Sequence, residues 1–261
     1  MTVDVVDLKS FYSRPLGRTA QALVAERLAA RWPAAANERV LGLGYAVPYL
    51  DLWRGHAERT LAFMPGRQGV LAWPSEGLSA SALVDDADLP LPDASMDRVL
   101  LVHGLEMADS AHATLREIWR VLSPGGRVLI VVPNRRGAWA RADRTPFGYG
   151  RPYSRAQLAL LLRETMFEAL DWGETLFVPP LASRRMLAWS GAWERVGATL
   201  WPAFAGLIVV EAQKQVYAPA LRKKLRFARQ LKPSLIPGRA AGAAPLHRAG
   251  TGGTPPAPRT G

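Results

Sequence analysis

The sequence predicts an α/β chain built on parallel strands, and three neighbouring stretches carry that prediction. Met96–Leu101 is an apolar run that follows a turn rich in Pro and Asp, the pattern of a buried parallel strand. Asp109 or Ser110 can cap the helix after it, on which Leu115, Ile118, Trp119 and Leu122 fall at i, i+3, i+4 and i+7. Ser123-Pro124-Gly125-Gly126 stops that helix, because Pro cannot continue it and Gly accepts positive φ. Arg127–Val132 is then a second apolar run of strand length. Strand, helix and strand at these spacings make a βαβ unit, whose crossover is expected to be right-handed.

The other elements follow in chain order. Arg14–Trp32 reads as a helix with Pro15 in its first turn and Pro33 beyond its end. Arg39–Leu43 is the first strand, Glu58–Met64 the second and Ala82–Val84 a short third. The fourth strand ends in His103-Gly104-Leu105-Glu106. After the fifth, Asn134 opens a connection of about 20 residues, longer than an ordinary loop. Ser154 and Gln157 form a capping box for the next helix, which runs to about Phe167. Leu170–Val178 is strand six, Arg184–Leu200 a helix and Gly206–Val216 strand seven. Val196–Val210 is uncharged, but its 15 residues contain Pro202 and fall short of the ~20 that a membrane-crossing helix needs. The Trp and Arg content of Arg184–Trp201 leaves room for a membrane-surface role.

Two segments carry a family resemblance. LP-x-P-D-x-S-x-D-x-V from Leu89, and LRE-x-x-RVL-x-PGG-R-x-x-I-x-x-PN ending at Asn134, resemble class I S-adenosylmethionine-dependent methyltransferases of the small-molecule, type 11-like class. The match runs from about Arg39 to Trp172 and is closest between Leu89 and Asn134. The resemblance implies a Rossmann-like, doubly wound, mostly parallel seven-stranded sheet with an antiparallel edge strand and an N-terminal helix. It also implies S-adenosylmethionine as cofactor.

The family's cofactor loop carries an acidic residue and then three glycines at alternate positions. Here the acid becomes Gly42, the first glycine is kept as Gly44, and the others become Ala46 and Pro48. The acid that ends strand two and binds ribose is replaced by Met64-Pro65-Gly66. The loop is therefore degenerate. The resemblance carries cofactor contact onto Gly42, Gly44, Tyr45, Asp85, Asp86 and His103. Asp85 and Asp86 have two readings, acceptors for the adenine amino group or turn residues. His103 likewise reads as functional or as structural.

The connection after Asn134 contains Arg135, Arg136, Arg141, Arg144 and Arg151 with Trp139, Phe147, Tyr149 and Tyr153. Arg forks onto carboxylate or phosphate, and aromatic rings stack on flat molecules. Its place at the carboxyl end of a parallel strand makes Asn134, Arg135, Arg136 and Trp139 candidates for substrate binding. A solvated loop packed by its own aromatics is the competing reading. No catalytic residue can be named.

Composition bounds the rest. A length of 261 residues and a hydrophobic fraction of 49% allow one large domain with a sizeable core. The absence of cysteine excludes disulfides, thiolate metal sites and cysteine nucleophiles. Four scattered histidines make no metal-ligand pattern. The opening MTVDVVDLKS is acidic and polar, unlike a secretory leader, so a cytoplasmic protein is expected. The net charge of +11 is unevenly placed: ten Lys and Arg lie after Glu211, the last acidic residue, and the body before them is nearly neutral. Residues 1–220 are expected to form the methyltransferase-like domain, and residues 221–261 a disordered tail, basic and rich in Pro and Gly, apart from a basic helix over Ala220–Leu231. The tail is expected to contact anionic surfaces weakly, while a neutral body speaks against nucleic acid as a partner. A small-molecule methyltransferase is the leading reading. A non-catalytic protein that keeps the fold as a scaffold or partner is the alternative, favoured by the degenerate loop.

Overall fold

The computed structural model describes residues 3–181, 183–201 and 204–216, and the expected tail from 221 onward lies outside them. Seven strands form one sheet in the order β3-β2-β1-β4-β5-β7-β6. In chain order they are β1 (Arg39–Gly44), β2 (Arg59–Pro65), β3 (Ser81–Val84), β4 (Met96–Val102), β5 (Leu122–Pro133), β6 (Phe167–Thr175) and β7 (Leu207–Lys214). The first five pair in parallel, while β7 runs antiparallel to both β5 and β6.

Strand alternation divides the core into two layers. Val40, Met64, Leu100, Val102 and Val131 face one side, covered by α1 (Val5–Ser13), α2 (Pro15–Arg31) and α3 (Val47–Arg54). Leu41, Leu43, Val99, Leu101 and Ile130 face the other, covered by α4 (Ala111–Val121) and α5 (Arg155–Glu164). This is the doubly wound arrangement that the resemblance implies. The helix on Arg14–Trp32 is observed as α2, and Ser110, not Asp109, caps α4 through the Ala113 N–H. The Ser154–Gln157 capping box is present on both sides.

Some boundaries differ from the sequence expectation, each for a local reason. Strand β5 begins at Leu122, because Leu122 pairs with Met96 before a register shift to Arg98–Arg127. Helix α5 stops at Glu164 and β6 spans Phe167–Thr175, three residues early at both ends. Met166 and Leu176 both have positive φ and reverse the chain there. The helix expected over Arg184–Leu200 is divided at Trp189 into α6 (Arg184–Ala188) and α7 (Ser190–Leu200). Helix α1 has no counterpart in the sequence expectation. Asp4 caps it by accepting from the Val6 and Asp7 N–H groups at 2.9 and 2.8 Å. Leu8, Phe11 and Tyr12 give it a buried face at i, i+3 and i+4.

Candidate functional site

Strand order reverses at β1, whose neighbours β2 and β4 are reached by crossovers on opposite sides, so the carboxyl ends of β1 and β4 frame the switch-point crevice. Gly44 ends β1 with φ of +79°. A Cβ there would lie 2.3 Å from the Val102 carbonyl oxygen and 3.0 Å from the Gly104 nitrogen. The Tyr45 N–H donates to the same Val102 carbonyl at 2.7 Å. The close backbone approach at Gly44 is therefore made to the end of β4.

Gly42 has a different reason to lack a side chain. Its Cβ would fall 2.8 Å from both Ala46 Cβ and Leu50 Cδ1. Helix α3 sits directly on this position, so a carboxylate cannot be restored at 42 without lifting α3. Pro48 lies in the first turn of α3, where a missing N–H leaves no helix bond unmade.

At the end of β2 the chain turns through Gly66 and Arg67 to Gln68. Arg67 forks onto Asp86 with two contacts of 2.8 Å, and the Thr114 hydroxyl donates to Asp86 at 2.8 Å. Burial alone would raise the Asp86 carboxyl, but the Arg67 and Thr114 hydrogen bonds outweigh it and hold the group below its ordinary value. Asp85 is exposed, and its carboxylate accepts from the Ala87 N–H at 2.8 Å, closing a turn. Both Asp side chains thus have local partners.

His103 is fully buried with φ of +49°, a strained value for a residue with a side chain. Its Nε2 lies 2.9 Å from the Tyr12 hydroxyl, which lies 3.1 Å from the Tyr49 hydroxyl. The Gln68 amide donates to the His103 carbonyl, and the Gln68 carbonyl accepts from the Val5 N–H at 2.7 Å. Helix α1 is thereby docked at its start through Val5 and near its end through Tyr12. Tyr12 stacks on Tyr45, with centroids 5.7 Å apart, and Phe147 covers the His103 ring at 4.6 Å. Burial raises all three phenols, Tyr45 to about 12 and Tyr12 and Tyr49 further, so they are neutral near pH 7. Glu106 is buried, with Oε1 3.4 Å from His103 Nδ1. The Gln68 Oε1, His103 Nδ1 and both Glu106 carboxylate oxygens find no hydrogen-bond partner among the described residues.

The connection after β5 closes the other side. Asn134 is buried, and its Oδ1 accepts from the Arg136 N–H at 3.1 Å. Arg135 and Arg136 are exposed. Trp139 is buried, donates to the Val178 carbonyl at 2.7 Å and packs edge-on against Phe147. A cleft of about 200 Å³ lies between α1 and this connection, where Asp7, Ser10 and Arg14 face Arg144 and Tyr149. Gly44, Tyr45, His103 and Glu106 do not line it.

The structure thus brings Gly44, Tyr45 and His103 together, with Asp86 and Asn134 behind separate local contacts. Sequence reasoning did not reach Tyr12 or Gln68. The signal for Tyr12 was present: Asp4 as cap, an acidic Asp7 in the first turn and the Leu8-Phe11-Tyr12 spacing. Gln68 sits in an irregular turn with no periodic signature. Among the described residues no group of three or more His, Cys, Asp or Glu could hold a metal ion.

Tyr12, Tyr45, Tyr49 and Gln68 pack around His103 at the ends of β1 and β4, and each is almost fully buried.

Known proteins place this arrangement. A family model described as a methyltransferase domain matches residues 29–130. A demethylmenaquinone methyltransferase of Thermus thermophilus is 30% identical over 122 residues, covering 46% of this chain and 48% of that protein. One of Symbiobacterium thermophilum is 41% identical over 64 residues, covering 24% of this chain and 26% of that protein. The chain thus spans about half or less of the length of these curated relatives. In fold, the crystal structure of a SAM-dependent methyltransferase from Thermotoga maritima superposes with a TM-score of 0.54 at 17% identity, covering 81% of this chain and 96% of that one. Residues 29–130 thus match a methyltransferase domain, and the doubly wound sheet with the glycine turn at its switch point is the fold of the class I S-adenosylmethionine-dependent methyltransferases.

Proposed function

We propose that the chain is an S-adenosylmethionine-dependent methyltransferase of a small molecule, and that α1 must leave the crevice before the cofactor can enter. The observation that carries this reading is the placement of Gly44 at the switch point, with Tyr12 of α1 stacked on Tyr45 and bonded to His103 beside it. Helix α1 is seated by the buried Leu8, Phe11 and Tyr12, with the Val5 N–H and the Tyr12 hydroxyl as its hydrogen bonds to the crevice, and its release is a local opening of the N-terminal segment. Gly42, Gly44, Tyr45, Asp85, Asp86 and His103 remain the residues proposed to meet the cofactor. Asn134, Arg135, Arg136 and Trp139 remain those proposed to meet the acceptor. The names of the curated relatives make a quinone-type aromatic acceptor the first to test. Residues 1–220 are proposed as the methyltransferase unit and 221–261 as a basic tail.

A second reading has its own observation. Gly42 cannot carry the loop acid because α3 packs on it, and no acid ends β2. A scaffold that keeps the fold without turnover would look the same. Titration calorimetry of the full chain with S-adenosylmethionine separates the two. Saturable binding, weakened by Tyr45→Trp, supports the enzyme. Absence of heat at about millimolar cofactor, for both the unmodified chain and Tyr12→Ala, supports the scaffold.

A further inference from the structure

Helix α7 turns Trp193, Glu194 and Gly197 toward the body and leaves other large apolar side chains outside. Glu194 accepts from the Phe177 N–H at 2.7 Å and the Thr175 hydroxyl at 3.1 Å. At Gly197 a Cβ would lie 2.4 Å from the Phe177 Cβ. The polar and small residues are therefore fixed inside by specific contacts, and the helix cannot be turned over to bury its apolar side. Trp189, Val196 and Leu200 run along the outside at helical spacing, and Trp201 and Phe204 extend the same segment. Trp189, Leu200, Trp201 and Phe204 are each more than half exposed. Apolar surface gathered this way on one element marks a contact region rather than scattered exposure.

Charge identifies what the region meets. Between Leu181 and Val216 the acidic residues are Glu194 and Glu211, and both are buried. Arg195 beside the stripe is exposed, and Glu26 of α2 shares the cleft that Arg195 lines. From Lys214 onward the sequence adds ten basic residues and no acidic one. Exposed tryptophans suit the headgroup layer of a bilayer, and an excess of basic residues in the sequence suits its anionic lipids. Neither signal anchors a protein firmly alone, whereas two together do so reversibly. We propose that the outer face of α7, with Trp201 and Phe204, lies in the surface of an anionic lipid bilayer. Among the described residues no helix is long and apolar enough to cross a membrane, so the contact is with one leaflet. This inference does not rest on cofactor binding or turnover.

The test uses the full chain with vesicles of phosphatidylcholine alone and of phosphatidylcholine mixed with phosphatidylglycerol. The expected result is co-sedimentation with the mixed vesicles that falls as salt rises. The triple variant Trp189→Ser/Trp201→Ser/Phe204→Ser should bind at least about tenfold more weakly, since each aromatic ring withdrawn from lipid removes a decade or more. Because the chain has no cysteine, Thr199→Cys can carry an environment-sensitive dye on the outer face of α7, with Ser75→Cys as a distant exposed control. The dye should enter an apolar setting at position 199 and not at 75, which holds the test open even if the triple variant fails to fold. No binding to mixed vesicles, equal shifts at both positions, or a triple variant that only converts a dimer to monomers would overturn the proposal.

Discussion

The Tyr12 hydroxyl meets His103 Nε2 at 2.9 Å across 91 positions of sequence, and this contact joins the N-terminal helix to the end of the strand beside the cofactor crevice. Tyr12 is almost fully buried at this point, beside Tyr45 and Gly44.

Replacing Tyr12 by Ala removes a ring that is almost fully buried and should cost about 3 kcal/mol in chemical denaturation. The same substitution vacates the crevice, so affinity for S-adenosylmethionine should rise on the order of tenfold in calorimetry, because the competent state is no longer a minor population. Tyr12→Phe keeps the ring and leaves His103 Nε2 and the Tyr49 hydroxyl without their partner. It should cost about 1–2 kcal/mol and change affinity less.

Gly44→Ala tests the turn itself. The added Cβ would sit 2.3 Å from a backbone oxygen at a positive φ, and backbone cannot yield as a side chain can. Stability should fall by about 2 kcal/mol or more, read as a lower denaturant midpoint with unchanged slope. A large residue such as Trp at 44 would disrupt β4 before it blocked any ligand.

Arg135→Ala/Arg136→Ala removes two exposed charges. Unfolding free energy should stay within about 0.5 kcal/mol, while affinity for an acidic acceptor should fall. Unchanged acceptor affinity in the double variant would remove these residues from the site.

Asp97 gives a pH dependence of known sign. Arg39 donates to it from Nε, Nη2 and its backbone N–H, and Ser123 adds a fourth hydrogen bond. Chiefly through the Arg39 side chain, its carboxyl is held down to about 2. The folded value lies below the ordinary Asp value of about 3.9, so the stabilisation is complete above that pH and is lost as pH falls from about 4 to 2. Asp97→Asn should lower the melting temperature near neutrality and flatten the acid limb between those values.

The β4-α4-β5 unit was legible because its signals agree: an apolar run, a capped amphipathic helix, a Pro-Gly stop and a second apolar run. Strand β6 was legible in existence but not in extent, since its ends are set by positive φ at Met166 and Leu176, residues that carry no turn signature. Within the site, Gly44 stood out from its motif. The packing of α3 onto Gly42 did not, because it depends on where Leu50 lies in space. Gln68 and Tyr12 reach the crevice through tertiary contacts that sequence spacing does not encode. The α6–α7 surface was legible as an excess of Trp and Arg, but which apolar side chains stay outside required knowing that Glu194 and Trp193 turn inward.

Hydrogen–deuterium exchange on the full chain, with and without about millimolar S-adenosylmethionine, tests the central claim most directly. If α1 occupies the cofactor's place and leaves on binding, amides of Leu8–Tyr12 should exchange faster with cofactor present, while those of β1 and β4 beside Gly44 should exchange more slowly. Cofactor binding with α1 as protected as in the free chain, or no change in either region, would contradict it.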